Sequence, residues 1–283
     1  MRQFVIKILL SIVLFNVCCW IGKPFFIQHQ GNCNIYDALS IISSNTGAHK
    51  IILGDSVGDQ IYPESKSSES QVLCATTNRA IGLVGQLILL EHFLKTRSTE
   101  TVNNVHIVLH PGSFGARLDE IYTFNYFLQP FRRHIQKLEI PKHISSRIKP
   151  PFLMVTMQLF PAARVVPYDI LSGNRGAPPM RSSPLIMDYT DWAMNQLDSM
   201  AETGVNIHFH CAPLQRNWQD STFSNLNAYF DTFKNLTFHY TDSEIIFMNR
   251  EYFRDGIHFN SSGLTELGRD PLNLLRGGAL QQP

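Results

Sequence analysis

With 283 residues, 44% of them apolar and 17% charged, the chain carries enough hydrophobic material to bury a full core in one main domain. A formal net charge of +1 excludes general nucleic-acid binding, which needs a basic face to neutralise phosphates. The sequence shows no internal repeat, coiled-coil pattern or extended low-complexity segment.

Arg2 and Lys7 precede an almost wholly apolar run over 8–22, the composition of a signal sequence or a short membrane anchor. The run is long for a signal core and short for a spanning helix, which takes about 20 residues. Cys18, Cys19 and Trp20 occupy the zone where a small-x-small cleavage site would lie. Residues 1–30 are therefore expected to be an uncleaved anchor, its positive end kept in the cytoplasm and the body, 31–283, exported.

Strand-like apolar runs follow at 50–53, 72–75, 105–109, 205–211 and 245–248, with helical stretches between most of them. Such alternation predicts an α/β fold: a central parallel sheet of about five strands, covered on both faces as a three-layer sandwich. Residues 79–94 are apolar nearly all round, which predicts a deeply packed helix. Over 119–135, Ile121, Phe124, Leu128, Phe131 and Ile135 keep helical spacing, the pattern of an amphipathic helix lying on the sheet.

The segment 141–184 breaks this rhythm. It is rich in proline and sets Lys142, Arg147, Lys149, Arg164, Arg175 and Arg181 against the single acid Asp169. Two readings stand open: a lid or binding loop that steers an anionic glycan or touches lipid head groups, and a solvated excursion with no ligand. Ser183-Pro184 then reads as a helix start, leading into Tyr189, Trp192, Ala193, Leu197 and Met200. In the body Cys33, Cys74 and Cys211 are an odd set; a Cys33–Cys74 disulfide is open, and buried thiols are the default.

Two short clusters carry chemistry. Gly54-Asp55-Ser56 closes the first apolar run, where a sharp turn from strand to helix would expose the serine Oγ at the carboxyl edge of a sheet. Backbone N–H groups of that turn point the same way and can stabilise an oxyanion. Near the other end, Asp255-Gly256-Ile257-His258 puts a carboxylate and an imidazole on one side of a turn, so that Asp255 can fix the tautomer of His258 while His258 faces Ser56. Nucleophile, base and orienting acid are the minimum equipment for attack on an ester carbonyl.

With both blocks in this order, the chain resembles the SGNH, or GDSL-type, hydrolase superfamily, over roughly 48–268 in organisation. That resemblance implies a flavodoxin-like fold, with Ser56 as nucleophile, His258 as general base and Asp255 as its partner, and no cofactor. The Gly-x-Asn-Asp block that completes the family's oxyanion hole is missing. Its positional substitutes are Asn78, in Thr76-Thr77-Asn78, as a donor, and Gly112 or Ser113, in His110-Pro111-Gly112-Ser113, as lining. Envelope-anchored members of the family often add or remove acetyl groups on cell-surface polysaccharides, so the implied partners are an acyl-ester or glycan substrate and the membrane.

Two other classes compete. His208-Phe209-His210 sets two imidazoles on one face of a strand, and with His106, His110 and Asp255 nearby a metal-dependent hydrolase is conceivable. The missing hole block also suits a noncatalytic glycan-binding or assembly protein that keeps the fold.

Overall fold

The computed structural model describes residues 2–21, 33–45, 47–69, 72–77, 81–97, 104–115, 127, 130–131, 186, 188–216, 218 and 221–275. In chain order these form α1 (Arg2–Ile21), α2 (Cys33–Ser44), β1 (Lys50–Gly54), α3 (Ser56–Ile61), β2 (Val72–Cys74), α4 (Gly82–Thr96) and β3 (Asn104–Leu109). Beyond them come α5 (Asp188–Glu202), β4 (Asn206–Cys211), β5 (Leu214–Gln215), α6 (Ser221–Phe230), β6 (Leu236–His239), β7 (Phe247–Met248) and α7 (Ser261–Leu267).

The main sheet has five strands in the order β2-β1-β3-β4-β6, every pairing parallel. Parallel strands need crossover connections and are buried on both faces, which is why these segments read as apolar runs. On one face α2, α4, α5 and α6 pack over Ile51, Leu53, Val105, Ile107, Ile207 and Phe209. On the other, Ile52, Val72, Cys74 and Val108 meet Val57, Ile61 and Tyr62 of α3 and its border, with Met248, Phe253, Phe259 and Leu274 from the C-terminal part. The expected α/β sandwich with a five-stranded parallel sheet is what the chain forms.

One strand was placed wrongly. The apolar run at 245–248 yields only β7, which pairs with β5 in a separate two-stranded sheet, and β6 takes the fifth place in the main sheet. β6 gave a weak signal because alternate side chains, Thr237 and His239, lie on a polar face, while Leu236 is buried. The helix expected over 79–94 appears as α4 and is buried along most of its length. The expected amphipathic helix over 119–135 is described only at residues 127, 130 and 131, where Phe127 and Phe131 are buried; the basic segment 141–184 and the Ser183-Pro184 helix start lie outside the described residues.

Among the described residues no helix is long and apolar enough to cross a membrane. α1 nonetheless carries its large apolar side chains in the open, with Leu10 62% and Ile21 68% exposed. Cys211 is buried, as is Cys74, whereas the side chain of Cys33 lies outside the described residues, and with it the possible Cys33–Cys74 bridge.

Candidate active site

In this strand order the chain leaves β1 toward β2 on one side and returns through β3 on the other. The order therefore reverses between β1 and β3, and the carboxyl ends of strands at such a switch point are where open α/β sheets bind ligands. Gly54 ends β1 because nothing larger fits: a Cβ there would stand 2.5 Å from the Val108 carbonyl oxygen. The turn is locked by Gly54 O, which accepts hydrogen bonds from Thr77 N at 3.0 Å and from the buried Gln86 Nε2 at 2.9 Å.

Asp55, 2% exposed, caps α3 and ties the two strand ends together. Its Oδ1 accepts from Val57 N at 2.9 Å and Gly58 N at 3.1 Å. Its Oδ2 accepts from His110 N at 2.8 Å and Ser113 Oγ at 2.5 Å. The carboxylate is thus saturated by donors and is not free for chemistry, while Ser56 stands beside it as the first residue of α3.

Ser56 Oγ lies 2.9 Å from His258 Nε2, across 202 positions of sequence. His258 Nδ1 lies 2.9 Å from Asp255 Oδ2 and 3.1 Å from Oδ1. A carboxylate can only accept, so the Nδ1 proton points at Asp255 and leaves Nε2 to accept from the serine hydroxyl. Asp255 is itself fixed, its Oδ1 accepting from His258 N at 2.9 Å and Ile257 N at 3.2 Å. Partial burial alone would raise its pKa, but the hydrogen bonds from the His258 backbone and ring and from Ile257 N outweigh that and hold it below the ordinary carboxylate value. Gly256 turns the chain at φ +89°, a conformation side-chain-bearing residues rarely adopt, and Arg254 N closes the loop on His258 O at 2.8 Å.

A clamp that the sequence reading missed joins the two halves. The Gln60 amide accepts from Phe259 N at 2.9 Å through Oε1 and donates to Phe259 O at 3.2 Å through Nε2. It stands four residues after Ser56 on α3 and grips the backbone next to His258. Its only trace in the sequence is helical spacing from the nucleophile.

The structure therefore brings Ser56, Asp255 and His258 together. The residues expected at the oxyanion hole, Asn78 as donor and Gly112 or Ser113 as lining, are placed differently. Asn78 lies outside the described residues. Ser113 is buried, its N–H donates to His110 O at 2.8 Å and its hydroxyl to Asp55, so both of its donors are committed. The Gly112 N–H donates to His110 Nδ1 at 3.1 Å. Ser113, expected with Gly112 as lining of the hole, braces the nucleophile turn through Asp55, and the Gly112 donor is engaged by the His110 ring. Ser56 itself retains one, since the N–H of a first helical residue has no intrahelical acceptor.

The histidines gather elsewhere. His106 of β3, His208 and His210 of β4 and His239 of β6 form a stack, with His106 Nδ1 2.9 Å from His210 Nε2 and the rings of His210 and His239 4.5 Å apart. Burial first, then the neighbouring imidazoles and, for His106, Lys50, lower the pKa of His106 to about 3 and that of His210 to about 2. Neither of the other suggested ligands joins them: Asp255 is held by His258, and the His110 ring meets Trp218 edge-on. Among the described residues no group of three or more His, Cys, Asp or Glu is placed to hold a metal ion.

No protein-family model and no curated protein matches the chain. Among solved structures, one described as "a putative platelet activating factor from Streptococcus pneumonia" aligns over 92% of this chain and 99% of its own, at 9% identity and a TM-score of 0.42. A likeness at that level carries no functional argument.

Proposed function

We propose that the chain is a serine-dependent ester hydrolase or O-acyltransferase of the SGNH type, acting through an acyl-Ser56 intermediate. The observation that carries this reading is the relay Ser56 Oγ to His258 Nε2 to Asp255, each contact at 2.9 Å. Ser56 Oγ attacks the acyl carbonyl and its proton passes to His258 Nε2. The oxyanion is met by the Ser56 N–H and, as a proposal, by Asn78. The imidazolium, steadied by ionised Asp255, returns the proton to the departing alkoxide, and the acyl group stays on the serine. Water then releases it as an acid, or an acceptor hydroxyl carries it away as a new ester.

An acetylated cell-surface glycan is the substrate class that accords with an exported domain. The open apolar surface of α1, with Arg2 and Lys7 at its start, supports an envelope location with that helix as anchor. The test is hydrolysis of p-nitrophenyl acetate together with fluorophosphonate labelling of the full chain. Ser56→Ala should abolish both, and full turnover by that variant would refute the reading. A noncatalytic glycan-binding role draws support from the engaged donors of Gly112 and Ser113; it predicts polysaccharide binding that Ser56→Ala leaves intact, with no ester turned over.

A further inference from the structure

Gln86 is the one polar side chain among the buried residues of α4, set between Gly85 and Leu87 and only 1% exposed. Burying an amide among apolar side chains is unfavourable unless its hydrogen bonds are made. Here only one end is served. Nε2 donates to Gly54 O at 2.9 Å, whereas Oε1 has no hydrogen-bond partner among the described residues. Thr77, whose N–H is the second donor to Gly54 O, is buried too, and its hydroxyl oxygen likewise has no partner among the described residues. The two residues that hold this one carbonyl thus each carry a stranded polar atom.

Stability does not account for Gln86. A buried acceptor left without a donor costs at least as much as one neutral hydrogen bond returns, so the two ends of the amide cancel or leave a deficit. If the amide were removed, Gly54 O would keep its bond from Thr77 N at 3.0 Å, and no carbonyl would be stranded. A methionine of similar length would fill the same space without a buried polar atom.

What the amide does supply is direction. The peptide joining Gly54 to Asp55 is held at its N–H end by Val108 O, at a long 3.3 Å, so its orientation is set at the carbonyl end. One donor there leaves the peptide plane able to pivot about that bond. Two donors, from the end of β2 and from α4, fix it. The next peptide along carries the Ser56 N–H, the donor left for the oxyanion, and Ser56 Oγ follows on the same residue. Such donors act in catalysis only when they are aimed before the charge develops.

We infer that Gln86 is a positioning residue for acyl transfer: it holds the Gly54–Asp55 peptide so that the N–H and Oγ of Ser56 are aimed at the reacting carbonyl. This rests on the acyl-serine reading and adds to it a residue that meets Ser56 only through the backbone. The test compares the full wild-type chain with Gln86→Met in two measurements. The first is steady-state kinetics on p-nitrophenyl acetate, with each rate divided by the number of sites that fluorophosphonate labels on completion; the second is urea unfolding. The variant should lose about tenfold or more in kcat per site while KM changes by less than about threefold, because the aimed donor matters in the transition state. Its urea midpoint should hold or rise, the reverse of what a structural role gives. The pH midpoint of kcat should stay that of wild type, since Gln86 bonds to neither His258 nor Asp255. If Gln86→Met unfolds at lower urea, loses less than about tenfold per site, or loses it through KM or with a shifted pH midpoint, the inference falls and the acyl-serine reading stands. If wild type turns over no ester and Ser56 is not labelled, both fall.

Discussion

Replacing Gln60 by alanine tests whether the two halves of the relay are held by the clamp described above. The change removes two hydrogen bonds, at 2.9 and 3.2 Å, and strands the N–H and C=O of Phe259, a residue only 2% exposed. Each stranded backbone group costs about 1–3 kcal/mol when water cannot reach it. Gln60 itself is half-buried, so water entry pulls the sum down, and a loss of about 2–4 kcal/mol is expected. The functional effect is separate: Asp255 and His258 share a loop closed on itself by Arg254 N, so the loop should drift as a unit and lengthen the contact to Ser56. A misplacement of about 1 Å costs on the order of 100-fold in rate. Gln60→Glu retains an acceptor for Phe259 N but sets a carboxylate oxygen against Phe259 O, so it should fall between wild type and alanine in stability. Urea unfolding reads the first effect and the rate of fluorophosphonate labelling at Ser56 the second. If Gln60→Ala is labelled as fast as wild type, the clamp does not position His258 and the reasoning is wrong.

Asp255→Asn should leave the fold intact and lower kcat by about 10³–10⁴-fold, because an amide no longer holds the imidazole in the tautomer that accepts from Ser56; steady-state kinetics on p-nitrophenyl acetate would show it. Asp55→Asn presents an amide NH₂ to the His110 N–H or to the α3 cap, and a fall of about 2–3 kcal/mol in unfolding free energy is expected; a change within 0.5 kcal/mol would deny Asp55 its bracing role. Gly256→Ala strains a φ of +89° and should cost about 1–2 kcal/mol together with a slower Ser56 labelling rate. The histidine stack makes stability depend on pH. Folding depresses His106 to about 3 and His210 to about 2, so the folded chain refuses protons that the unfolded chain accepts below about 6.5. The neutral stack is therefore fully supported above pH 6.5, and stability falls as pH drops from there toward 3, by about 1.4 kcal/mol per pH unit for each imidazole. Urea titrations at pH 7, 6, 5 and 4 measure this slope, which His106→Gln should flatten.

Much of the scaffold was legible in the residues because parallel strands buried on both faces must be apolar throughout, and four of the five main strands announced themselves that way. The fifth did not, since Thr237 and His239 of β6 face the polar stack, whereas the more apolar 245–248 was drawn into a short pairing with β5. Ser56, Asp255 and His258 were legible for a different reason. Each sits in a turn whose geometry is local: Asp55 capping the amides of residues 57 and 58, Gly256 where φ is positive, and Asp255 folding back on the amides of residues 257 and 258.

What the sequence alone determined is thus the set of reacting groups and the local turns that present them, because turn conformation and strand burial are encoded within a few residues. Only the tertiary structure decided that Ser56 and His258 meet, that the Ser113 hydroxyl is taken by Asp55, and that Gln60 matters at all. A buried polar group takes whatever partner the packed fold brings to it, and for these residues the partner comes from segments far away along the chain.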